Sequence, residues 1–212
     1  MDEIRILHDD VDFFVIDKPS GLATQGGVGI KNSVENLMEK RLGQKIFLVH
    51  RLDKDTAGVL LIAKNSKAAG EFSEILQSSN TKKVYSACCF GIPGAEKGLW
   101  QQPIRNQRAK TEFFLKNSCT ISGSEMSFPL SVMGFVLHTG RTHQIRIHCA
   151  VNGLPIIGDD KYGDFKSNKA FGREFSVKKL QLICENLSIR RNNREFFFKS
   201  QFIHGKIPNL TE

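Results

Sequence analysis

Apolar and polar positions along the chain fall into two periods, and each predicts its own kind of element. Residues 4–7 and 12–17 alternate or run apolar around His8-Asp9-Asp10, which predicts a strand, a turn and a second strand ending at Lys18-Pro19-Ser20-Gly21. Val34, Leu37, Met38 and Leu42 stand at helical spacing behind Asn32 and Ser33. There Asn32 would cap the helix and Glu35 would complete a capping box. The runs 47–49 and 59–63 read as short buried strands. A second helix, capped by Asn65 or Ser66, follows with an apolar stripe of Ala69, Phe72, Ile75 and Leu76. Strand-rich stretches come next at 83–90, 110–116 and 128–139, then a helix that Thr142 would cap and Asn152-Gly153 would close. A last hairpin is expected from 180–189 and 195–199. Short turns join most neighbouring strands. The expected class is therefore α+β, a largely antiparallel or mixed central sheet with flanking helices. No repeat, low-complexity tract or linker divides the chain, so one domain over 1–212 is expected, with no separate RNA-binding domain in front.

Composition adds little to this picture until charge is placed along it. Apolar residues at 40% and charged residues at 25% are ordinary globular usage, which argues against disorder. The five cysteines contain no Cys-x-x-Cys, the N-terminus carries no signal-peptide apolar core, and no apolar run reaches the roughly 20 residues of a membrane span. A cytoplasmic protein with reduced thiols and no membrane association is expected. Of the net charge of +8, the segment 161–206 supplies +7, from 11 basic against 4 acidic residues. Such a region is an electrostatic footprint for a polyanion, although a solvated surface has the same composition.

Two stretches carry the chemistry. His50-Arg51-Leu52-Asp53-Lys54-Asp55-Thr56-Ala57-Gly58 puts an imidazole, a guanidinium and carboxylates into a turn-prone loop between two apolar runs, where loops on rigid scaffolds concentrate catalytic and binding groups. Thr139-Gly140-Arg141-Thr142-His143-Gln144-Ile145-Arg146-Ile147-His148 crowds two arginines and two histidines at a helix start, with Arg146 projecting beside His143. That arrangement suits a phosphate or a buried carboxylate. The glycines at 26, 27 and 29 match neither phosphate-loop spacing, and a flexible substrate-side loop is the reading they support. Histidines and cysteines take no zinc spacing, so neither metal nor cofactor is expected.

His50-Arg51-Leu52-Asp53 with Thr56 and Gly58, then Lys83-Val84-Tyr85-Ser86-Ala87, then Gly140 to Arg146 with Gly153-Leu154-Pro155-Ile156-Ile157-Gly158-Asp159, resembles the RluA-type pseudouridine synthases in content and order. Asp17-Lys18-Pro19-Ser20-Gly21 fits as well. The resemblance implies an isomerase that cuts the glycosidic bond of a uridine in RNA, turns the base and rejoins it through ring carbon five, with no cofactor. It gives Asp53 the role of nucleophile or base on the sugar and Arg146 that of its ionic partner. Tyr85 would pack against the base, and Arg51 would fill the space the flipped uridine leaves. His50, Arg141, His143 and Lys18 complete the expected RNA contacts, His50 and Lys18 being as readily structural. Large-subunit ribosomal RNA is the expected substrate of a monomer. Transfer RNA, a non-catalytic RNA-binding or ribosome-assembly protein of the same fold, and a metal-dependent nuclease built on Asp53, Asp55 and the histidines are the alternatives. Three features depart from the family pattern: Ala57 in place of serine, a short connection across 105–109, and Leu182-Ile183-Cys184 in place of leucine-histidine-alanine.

Overall fold

The computed structural model describes residues 4–124 and 126–211, in ten strands and four helices. The chain forms two compact units. The first takes the chain up to Lys83 together with Cys184–Phe202. Its strands β1 (Arg5–Asp9), β2 (Phe13–Lys18), β4 (Ala57–Ala63) and β9 (Leu182–Arg191) lie side by side in that order, with β3 (Phe47–Leu48) on β4 and β10 (Arg194–Lys199) on β9. The registers of β1 on β2, β2 on β4, β3 on β4 and β10 on β9 are antiparallel. Every residue of β2 and of β4 is buried, so these runs read as continuous apolar stretches and not as alternation. Two polar side chains, Asp17 and Lys18, are buried with them and both are paired: Asp17 accepts from Ser200 Oγ and from Gln201 N, each at 2.7 Å, and Lys18 Nζ donates to Leu22 O at 2.7 Å.

Helix α1 (Val34–Leu42) begins one residue later than its expected cap. Ser33, not Asn32, caps it by accepting from Asn36 N, and Glu35 turns away to accept from Gly26 N at 3.1 Å. Ser33 has the extended backbone an N-cap needs and is fully buried, which decides between two adjacent residues of equal capping propensity. Asn65 caps α2 (Ser66–Ile75), which buries Ala68 and Phe72, so the inward stripe is turned from the expected Ala69. Asn192 and Asn193 both take positive φ between β9 and β10, the geometry of a tight two-residue hairpin.

The second unit comprises Val84–Ile183 and the chain from Ile203. It contains an antiparallel run of β5 (Lys82–Phe90), β8 (Ser127–Leu137), β7 (Thr111–Ser122) and β6 (Lys97–Trp100). The β7–β8 hairpin is longer than the expected 110–116, because Asn117 to Ser122 alternate too weakly to read as a strand alone and are held by register with β8. Phe90, Phe128 and Phe171 build its core with Ile207 and Leu210 from the end of the chain. Two helices, α3 (Gln144–Val151) and α4 (Phe165–Glu174), belong to this unit. Both β6 and α4 are absent from the sequence reading: β6 has four residues around a glycine, and α4 carries seven polar or glycine positions in ten. Among the described residues no helix is long and apolar enough to cross a membrane.

Candidate active site

The loop that follows β3 is braced by the segment that follows β2. Lys18 is fully buried and its ammonium donates to the carbonyls of Pro19 (2.9 Å), Leu22 (2.7 Å) and Lys54 (2.9 Å). Burial lowers its pKa to about 7, against the attraction of Asp55 and Asp53. Thr24 Oγ1 donates to Leu52 O at 2.7 Å and accepts from Leu52 N at 3.2 Å. Ser20 Oγ donates to Asp55 O at 2.8 Å, and Gly21 N to Lys54 O at 2.9 Å. The segment ahead of the glycines at 26, 27 and 29 is thus a clamp on residues 52–55, and the stretch beyond Thr24, which holds those glycines, is largely exposed. All three donors of Lys18 are spent on backbone oxygen inside the unit, the structural one of the two roles its place before a proline left open.

His50 also faces inward. Its Nε2 accepts from Leu61 N at 3.0 Å, which ties the loop to β4, and burial with help from the Lys83 charge lowers its pKa to about 3. A neutral ring in that role is a structural post, the second of the two roles the sequence left open for His50. Between these anchors Asp53 is half-buried, its carbonyl accepting from Thr56 N at 3.2 Å, while Arg51 is exposed. The loop therefore presents the Asp53 carboxylate, with Asp55 equally half-buried, and the Arg51 guanidinium from a backbone whose neighbours are hydrogen-bonded on both sides.

In the second unit, α3 starts on strained backbone. His143, not Thr142, is its N-cap, in the left-handed region at φ 59° and without a side-chain capping bond. Its ring Nδ1 lies 3.0 Å from Tyr162 Oη. Gln144 secures the helix start, accepting from Thr139 Oγ1 and donating to Thr111 Oγ1 at 2.8 Å. Arg146 is buried and grips Asp159 with two bonds, Nε to Oδ2 at 2.7 Å and Nη2 to Oδ1 at 2.6 Å, while Nη2 also reaches Asp160 at 3.1 Å. Its guanidinium stacks over the Tyr162 ring at 5.3 Å, so His143 and Arg146 do keep company, through a tyrosine the sequence reading did not single out. Burial raises the Asp159 pKa, but the Arg146 bonds and the Tyr162 and Lys161 N–H groups outweigh it and hold the carboxyl below the ordinary range. Asp159 was visible only as the end of Gly158-Asp159. Its sequence gave no sign that a carboxylate 13 residues on would carry a bidentate pair.

Tyr85 is buried on β5, two and four residues before Ala87 and Cys89, and so on their face of the sheet. The Cys89 thiol lies against that of Cys149 on α3, which makes this the face α3 covers. Arg141 is exposed at the end of the β8–α3 turn, its Nε donating to Arg108 O at 3.1 Å. The connection before it is a tight turn closed by paired bonds between Ile104 and Gln107, with Arg105 and Asn106 at positive φ. Among the described residues no three His, Cys, Asp or Glu side chains come together to hold a metal.

Residues 12–151 match the family described as RNA pseudouridylate synthase. The chain belongs to that family. A "Ribosomal large subunit pseudouridine synthase C" of Rickettsia bellii is 31% identical over 208 residues, covering 82% of this chain and 67% of that one. An "Uncharacterized RNA pseudouridine synthase" of Zymomonas mobilis is 32% identical over 212 residues, covering 88% of each. The chain spans about two thirds of the length of the ribosomal relatives it matches. The structure of human RNA pseudouridylate synthase domain containing 1 superposes with a TM-score of 0.77 at 21% identity, over 94% of this chain and 84% of that one, which establishes a common fold. The expected α+β class and the family resemblance of the motifs stand together in this pseudouridylate synthase family member.

Proposed function

We propose that this chain isomerises uridine to pseudouridine in RNA, and that large-subunit ribosomal RNA holds its targets. The observation that carries the reading is Asp53 on the clamped loop 52–55, where Lys18, Ser20, Gly21 and Thr24 hold the backbone on either side of the carboxylate. Pre-organisation of that kind is what a group attacking or deprotonating a sugar requires, because a misplacement of about 1 Å costs on the order of a hundredfold in rate. Asp53 acts as nucleophile or base on the ribose, Tyr85 packs against the base, and Arg146 balances the charge of Asp53. Arg51, exposed beside Asp53, replaces the flipped nucleotide in the RNA stack, since the reacting atoms are inaccessible inside a helix. Arg141 and His143 contact the RNA backbone. The reaction rearranges one nucleotide and consumes no cofactor. The ribosomal choice rests on the names of the relatives from Rickettsia and Buchnera.

The test is Asp53→Asn, which keeps the size of the side chain and removes its reactivity. Pseudouridine formation by the purified variant should be undetectable while its affinity for RNA stays within about threefold of the parent, a difference of under 1 kcal/mol. Appreciable turnover by Asp53→Asn would remove the catalytic assignment. Mapping pseudouridine in ribosomal and transfer RNA from cells lacking the gene identifies the substrate, and loss of sites in transfer RNA alone would overturn the ribosomal choice.

A further inference from the structure

The segment that follows Asp160 carries the largest share of the positive charge, and the fold gathers part of it on one helix face. On α4, successive residues turn by about 100°, so Phe165, Lys166, Lys169 and Arg173 fall within an arc of about 100°. All four are exposed, Phe165 at 64%, whereas Phe171 on the other side is fully buried in the core. Gly172 lies at the margin of the exposed arc and is covered by Lys178, whose Cγ would stand 3.2 Å from a Cβ at that glycine. The lysine stem is thereby laid along the helix and its ammonium is brought to the same face. No acid falls within this arc, although Asp164 at the cap feels the Lys166 charge. Asp164 is spent on the cap, accepting from Lys166 N, Ser167 N and Ser167 Oγ, and Glu174 points elsewhere and accepts from Ser124 Oγ at 2.7 Å. The helix lies outside the stretch 12–151 that matches the family.

We propose that this face of α4 is a second RNA-docking surface, on which Lys166, Lys169, Arg173 and Lys178 bind consecutive phosphates and Phe165 stacks on an unpaired base. Four cations and an exposed aromatic ring without an interleaved acid are the chemistry that recognises single-stranded nucleic acid. The reach is comparable: Lys166 to Arg173 rises about 10 Å, the rise of roughly three stacked nucleotides at about 3.4 Å each. The face also leads away from the candidate site, because Lys161 and Arg146 both sit over the Tyr162 ring, at 5.5 and 5.3 Å, three residues before the aromatic end of α4. RNA with its target uridine near Arg146 would continue along α4. The inference rests on the proposed function for the identity of the RNA and not for the existence of the surface.

The whole chain is titrated against a fluorescein-labelled RNA hairpin with an unpaired uridine-containing loop and against a fully paired duplex RNA. Lys166→Ala/Lys169→Ala/Arg173→Ala should bind the hairpin about tenfold more weakly at moderate salt, with the slope of log Kd on log salt reduced by about two. Phe165→Ala should weaken hairpin binding about fivefold, leaving the slope and the duplex affinity unchanged. Lys40→Ala/Lys45→Ala/Lys67→Ala removes the same charge from the first unit and should bind as the parent does. Equal losses from both triple variants would reduce the effect to net charge and overturn the proposal, as would parental affinity in the α4 triple or a parent that binds neither RNA. A preference for vesicles of anionic phospholipid over the hairpin, lost in the α4 triple, would assign the face to a membrane and overturn it too. If the parent binds through α4 but forms no pseudouridine in ribosomal RNA, the proposed reaction falls and the docking surface stands.

Discussion

At residue 50 a neutral imidazole accepts a hydrogen bond from Leu61 N, and its pKa of about 3 lies well under the ordinary 6.5. In the unfolded chain the ring takes up a proton as pH falls through 6.5, whereas in the folded protein it does not until about 3. Acid therefore draws the equilibrium toward the unfolded state, and the contribution of His50 is present above pH 6.5 and lost below it. Between pH 6.5 and 5 the loss is about 2 kcal/mol. His50→Gln keeps an acceptor near the position of Nε2 and has no such titration, so its stability should fall less than that of the parent over this range. Urea melts of both proteins at the two pH values decide it, and parallel declines would show that His50 is not held neutral. Lys18 is the companion case. Its three carbonyl partners make it a brace for the Asp53 loop, a role no local pattern of sequence distinguishes from an exposed lysine before a proline.

Helix α3 is held to the turn that follows it by one buried ion pair, and β4 is held against β9 by a close backbone approach. Asp159→Ala would leave the Arg146 guanidinium buried without its bidentate partner, a loss that costs about 3–5 kcal/mol. The measurement is a denaturant midpoint, and a loss under about 1 kcal/mol would mean that Asp160 or solvent replaces the partner. Gly58 combines φ +115° with a site where a Cβ would stand 2.2 Å from the carbonyl oxygen of Cys184. Gly58→Ala has to push two strands apart as well as adopt a strained backbone, and should lower stability by about 3 kcal/mol or more or fail to fold. A variant as stable as the parent would mean that β4 and β9 can separate locally at no cost. The serine-to-alanine departure at Ala57 is accommodated in a fully buried strand, where a methyl needs no partner.

Over the whole chain the charge of +8 and a pI near 9.3 govern how RNA is met before any chemistry begins. Affinity for RNA should fall steeply with salt, and the slope should be the same for the parent and for Asp53→Asn, because the slope counts phosphate contacts and not reacting groups. Fluorescence titrations over a salt series test this. A shallower slope for Asp53→Asn would mean that the substitution disturbs docking, and the loss of activity could then no longer be assigned to the carboxylate alone.

Hydropathy period and turn chemistry determined the α+β class and most element positions, because strand alternation, helix stripes and caps are properties of neighbouring residues. The motifs around Asp53, Tyr85 and Arg146 likewise identified the family, since each is contiguous in sequence. Tertiary structure decided what contiguity leaves open. Ser33 was chosen over Asn32, Lys18 and His50 were turned inward, and α4 formed from a stretch read only as charge. Arg146 gained Asp159 as a bidentate partner, selected by packing across a helix and a turn. In each case the competing residues have nearly equal local preferences, and the difference between a buried, satisfied polar group and an exposed one, of order 1–3 kcal/mol, settles the choice only once the surrounding elements have closed.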